Sequence, residues 1–334
     1  MGNGNQTLHE LRERPKIALH ILGGLSGLLW HVHLYRNEGR CTCDKSQLKI
    51  NELAKLVHPR DGHRKIFAMI EAYLDESGIH DGAAICVIAG YFGGRGRLGK
   101  LETAWKAVLK QFKFPMSDFH AKDLLKSHRH QPMLKALART IGEHSKVHPV
   151  TYGIVVDDFN TFSLKQRMWF TGATLNETYG KLVTSGCPNK PYFVPFQNCL
   201  HRVSDYAPVG GKAHFLFGLD RPFAEYARSL FAQIKLVAYP LSEWQSKDRL
   251  GDPAFPLAAE TAQLQAADLL VHLSYLHMGE RYKYNDWDVT PPSGLLLECL
   301  RNTQSGSDHA LQTKKHLSEI LERTYARAGN WDDH

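Results

Sequence analysis

Apolar residues change their spacing along this chain, and each change marks an element. IFAMIEAYLD (66–75) reads as a first strand and AAICVIAGYF (83–92) as a second, close enough together to predict an antiparallel hairpin. LETAWKAVLKQF (101–112) and QPMLKALARTIGEHS (131–145) carry apolar residues at helical spacing. VTYGIVVDD (150–158) predicts a third strand, residues 172–185 a helix, HFLFGLD (214–220) a fourth strand and FAEYARSLFAQI (223–234) another helix. LVAYPLS (236–242) reads as a short strand, TAQLQAADLLVHLSYL (261–276) as the clearest helix, and 310–327 as a closing one. Strands that come early, then strands separated by helices, predict an α/β fold with a mixed sheet. Residues 1–65 show no amphipathic period after Tyr35 and predict a poorly ordered N-terminal extension. The folded domain is then 66–330, with a loop insertion near 186–212 where CPNKPYFVPF stands.

Three of the predicted strands end in acids: Asp75-Glu76, Asp157-Asp158 and Asp220. An unpaired buried charge costs several kcal/mol or more, so YLDESG (73–78) raises the question of what its carboxylates face. Strand-end aspartates also serve as ordinary turn residues, and any one of these taken alone reads that way. Asp268 is harder to explain as a turn residue, because helical spacing places it with Leu264 and Val271 on the face that should be buried. Acids gathered around Mg²⁺ would resolve the conflict, since that ion takes a few carboxylates and keeps its waters. Two such ions about 4 Å apart can activate water and stabilise a leaving oxygen in phosphodiester cleavage. In SDFHAKDL (117–124), Asp118 and His120 alternate about Phe119, as a short strand would place them on one face. His120 is a candidate to ligate metal, transfer a proton or hydrogen-bond a carboxylate.

GRGRLGK (94–100) matches the opening of a phosphate-binding loop, but Leu101 follows Lys100 where that motif needs a hydroxyl for Mg²⁺. A nucleotide hydrolase using Gly94–Lys100 is therefore a minor alternative, and a solvated loop is the simpler reading of the segment. The formal net charge of +7 favours an anionic partner such as nucleic acid. Six scattered cysteines, with only Cys41 and Cys43 close together, make no zinc spacing and point to a reducing, cytoplasmic setting. Residues 17–35 are apolar enough to span a bilayer but carry His20, His31, His33 and three glycines, so no stable membrane association is expected.

YLDESG, DFHAKDL, a strand ending in LD, and LQAADLL occur in that order over about residues 67–278. Together they resemble the domain of unknown function family 3800, grouped with the ribonuclease H-like proteins. The resemblance implies a mixed five-stranded sheet flanked by helices with Mg²⁺ or Mn²⁺ at the acids. It assigns the recurrent acids to Asp75, Glu76 and Asp268, with Asp220 at the matching strand end. Asp118 stands where the family usually has Glu, one methylene longer. The expectation is a divalent-metal-dependent nuclease acting on DNA or RNA. Asp75, Asp118, Asp220 and Asp268 would hold metal, His120 would transfer or orient a proton, and Glu76 would lie on the opposite strand face. The alternative is a non-catalytic nucleic-acid- or protein-binding module on the same fold. Members of the family begin a few residues before this strand, which suggests that residues 1–65 are foreign to the domain or follow a mis-assigned start.

Overall fold

The structure, a computed structural model, describes residues 17–18, 33–34, 69–80, 82–172, 174–178, 181–185, 190–218, 221–236, 244, 246–284, 294–301 and 309–328. The chain divides into two units, Met1–Ile66 and Phe67–His334. In the first, Ile17–Ala18 pairs antiparallel with His33–Leu34. No helix among the described residues is long and apolar enough to cross a membrane.

The second unit is α/β, built on one mixed sheet. Its leading hairpin joins β1 (Met69–Ser77) to β2 (Ile85–Gly94) antiparallel. Helix α1 (Arg95–Gln111), α2 (Ala121–Leu125) and α3 (Gln131–Arg139) lead to β3 (His148–Val155). The short helices α4 (Val156–Asn160) and α5 (Leu164–Thr171) precede a separate hairpin, β4 (Thr174–Thr178) and β5 (Lys181–Ser185). Then come α6 (Phe193–Tyr206), β6 (Lys212–Phe217), α7 (Arg221–Leu236), β7 (Leu250–Ala254) and α8 (Ala262–Tyr284). Helix α9 (Gly294–Cys299), β8 (His309–Gln312) and α10 (Lys314–Ala328) complete the unit.

The sheet has six strands in the order β8-β3-β2-β1-β6-β7, not the expected five. β2 lies antiparallel to both neighbours, while β6 and β7 continue parallel from β1 and β8 lies parallel to β3. β2 is central and covered on both faces, which is why its sequence is a nearly unbroken apolar run. Cys86, Ile88 and Phe92 point into a core shared with α6, α7 and α10. Ile85, Val87, Ala89 and Tyr91 point into a second core with α1, α3 and α8.

Two other expectations change. Residues 172–185 are not helical: Gly172 takes a left-handed φ of 69° that ends α5, and the Thr- and Val-bearing stretch after it pairs as a hairpin. Most of 186–212 is not a loop, because Phe193–Tyr206 is a helix with Phe193, Phe196, Leu200 and Val203 in the core. Its prolines suggested a loop, but Pro195 lies in the first helical turn, where a missing N–H breaks no hydrogen bond. The strand expected at 236–242 lies almost wholly outside the described residues.

Candidate functional site

β1 and β6 run parallel, and their pairing ends at Leu74 with Phe217. Gly218 still donates its N–H to Leu74 O at 3.0 Å, so its α-carbon lies beside Asp75 where the two strands diverge. A β-carbon at Gly218 would overlap Asp75 Oδ1. Glycine is what makes room there for the carboxylate. Alternation puts Asp75 on the Tyr73 side of the sheet, beneath α8, and Glu76 on the Leu74 side.

Asp268, from α8, meets Asp75 on that face. Burial pushes the Asp75 carboxyl up to about 8, the charge of Asp268 adds to the rise, and the hydrogen bond from the Glu76 N–H opposes it. Burial likewise raises Asp268, against the Ala121 N–H and the His120 ring. The charge of Asp268 thus pushes Asp75 towards the protonated form, while Asp268 itself is raised by burial and by the charge of Asp123.

The segment after α1 supplies the rim. Ala121 donates its N–H to Asp268 Oδ2 at 2.8 Å. His120, just before α2, places Nδ1 3.7 Å from the same oxygen; its side chain is 63% exposed, against 18% for Asp268. The acid is recessed and the imidazole faces solvent. Around them stand Lys122, Lys126 and Asp123, with Asp123 paired to Lys126 Nζ at 3.1 Å. His272, one turn beyond Asp268, is held below the ordinary imidazole range by burial first, then by the charges of Lys122, His120 and Lys126.

Other expected site residues fall elsewhere. Asp118 is not on a strand: Met116–Asp118 is a 3₁₀ turn, and the exposed carboxylate accepts from Ser117 Oγ at 2.8 Å. Glu76 faces away from the pair, towards Tyr192, whose hydroxyl is raised by burial first and then by the Glu76 charge. Asp220 lies outside the described residues. Asp158 accepts from the Lys314 N–H at 2.7 Å, capping α10 rather than joining the pair. Gly94–Lys100 is the end of β2 and the start of α1, so it forms no loop to wrap a phosphate.

Among the described residues, no three His, Cys, Asp or Glu side chains gather as a metal cage. Two recessed carboxylates still fit a hard dication that keeps most of its waters. Reading by charge missed Gly218, His272 and Gln265; the last is a buried amide one turn before Asp268, with no charge to betray it. No family model matches the chain, and no curated protein or solved structure matches it significantly.

Proposed function

We propose that this protein is a divalent-metal-dependent nuclease that hydrolyses phosphodiester bonds of DNA or RNA on a ribonuclease H-like domain. One observation carries the reading: Asp75 and Asp268, about 190 residues apart in the chain, come together in a recessed place where the charge of Asp268 raises the proton affinity of the buried Asp75. A dication is the ligand that offsets such a pair. The β3-β2-β1-β6-β7 portion of the sheet supports the fold assignment, with β8 as an addition at one edge.

Asp75 and Asp268 would hold Mg²⁺ or Mn²⁺, which when bound supplies Lewis acidity and a water of lowered pKa. The Ala121 N–H orients Asp268, leaving its other oxygen for the ion. His120, exposed beside Asp268, is placed to move a proton to or from the reacting phosphate. Lys122 and Lys126 attract the phosphate backbone without reading its sequence.

A non-catalytic binding module on the same fold is favoured by one observation, the lack of a third ligand near the pair among the described residues. Cleavage of single- and double-stranded DNA and RNA, with Mg²⁺, Mn²⁺ or chelator, separates the two. The nuclease reading expects metal-dependent cleavage that falls at least about 100-fold in Asp75→Asn and in Asp268→Asn, a usual scale for losing an electrostatic contributor. Equal cleavage by wild type and both variants would mean a contaminant. Calorimetry showing no Mg²⁺ or Mn²⁺ binding would reject the metal site itself.

A further inference from the structure

Two side chains one turn apart on α8 hold the same neighbouring segment. Gln265 is 1% exposed. Its Oε1 accepts from Trp105 Nε1 at 3.1 Å, and its Nε2 donates to Met116 O at 2.7 Å and to Ala259 O at 3.4 Å. Asp268, three residues on, accepts from the Ala121 N–H at 2.8 Å. Between those points Phe119 is buried and packs edge-on against the Trp105 ring, with centroids 5.4 Å apart. Met116–Ala121 is therefore fastened three times: by a carbonyl, by a ring and by an N–H. His120 lies between the last two fastenings, the one member of the run Phe119–Ala121 whose side chain faces solvent.

Hydrogen-bond polarity makes the first fastening selective. An indole N–H only donates and a carbonyl only accepts, so the group between them must offer an acceptor on one side and donors on the other. A glutamine amide does both. A carboxylate would confront Met116 O with a second acceptor, and a thioether would leave both partners unsatisfied in the interior.

We propose that Gln265 is a positioning residue of the candidate site: it fixes the segment that presents His120 and the Ala121 amide to Asp268. The catalytic consequence rests on the nuclease reading, whereas the clamp stands on these contacts alone. It also accounts for LQAADLL and DFHAKDL appearing together, since Gln265 and Asp268 of the first grip the backbone that carries the second.

The test uses the full chain with Gln265→Met and Gln265→Glu, and Trp105→Phe as a second route should either fail to fold. Protection of the Ala121 amide is followed by hydrogen exchange at one fixed pH, Mn²⁺ affinity by calorimetry, and folding by thermal melting. The clamp expects the Ala121 amide to exchange faster in the variants than in wild type while the melt stays cooperative, and Mn²⁺ affinity to fall about 10-fold to 100-fold, as when ligand-supporting contacts are lost in metal sites. His120→Ala should then add little to Gln265→Met in cleavage, since the imidazole is already displaced. An Ala121 amide as protected as in wild type in a folded variant would overturn the proposal. Faster exchange there in a protein whose wild type binds no Mn²⁺ would support the clamp and reject the metal reading.

Discussion

Asp75 is a carboxylate that the fold seats and then denies water. Its proton is released near pH 4 in an unfolded chain but is kept to about 8 in the native protein. The native state therefore binds the extra proton between those values, so this group favours folding below pH 4 and loses that advantage as pH climbs to 8. Without divalent ions, wild type should lose more stability than Asp75→Asn between pH 5 and pH 8, and the variant should melt higher at pH 8. Mn²⁺ should restore wild type at pH 8 and leave the variant unmoved. Melting curves in chelator, then in Mn²⁺, decide this; a wild type no more pH-sensitive than the variant would mean that the acids do not share a desolvated place. Asp75 and Asp268 were legible in the sequence because a charge inside an apolar run needs a partner. Asp118 was misread because its alternation with His120 fits a strand, whereas after Pro115 the backbone takes a 3₁₀ turn. Gly218 gave no signal because its contribution is the absence of a side chain.

Helix α8 supplies Gln265 and Asp268 and buries Leu264, Leu269, Leu270 and Val271 against the sheet. Apolar residues surround nearly its whole girth over the first three turns, which is how a buried helix reads and why this element was plain in the sequence. β8 was not: four residues, His309–Gln312, are too few to show a period, and the sheet gained its sixth strand unannounced. β8 runs directly into α10, whose first N–H groups have no partner within the helix; Asp158 accepts one of them, from Lys314, across from β3. Asp158→Ala should therefore cost about 1 kcal/mol, the usual range for a lost cap. It should speed amide exchange in Lys314–Ala328 and His309–Gln312 and leave Mn²⁺ affinity as in wild type. Denaturant melts with hydrogen exchange check it. A variant that loses Mn²⁺ binding would place Asp158 at the metal site and overturn its reading as a helix cap.

The molecule as a whole pairs a recessed acid site with a basic balance of charge: Lys and Arg number 41 against 34 Asp and Glu. These act over different distances. Two carboxylates repel a phosphate at close range unless a dication intervenes, while the summed field draws a polyanion from further away and weakens as salt screens it. Affinity for nucleic acid and cleavage of it should then separate. Asp75→Asn, in which cleavage is expected to fall, should bind a short single strand with log K falling linearly against log[salt], about 0.7 for each phosphate neutralised. Lys122→Ala with Lys126→Ala should reduce that slope by about 1 to 1.5 without changing which sequences are preferred, because phosphate contacts carry no sequence information. Fluorescence anisotropy from 50 to 200 mM salt measures both. Binding indifferent to salt would remove the nucleic-acid backbone as the partner even if the acid pair still held its ion, since a polyanion cannot be bound through phosphates without releasing the cations around it.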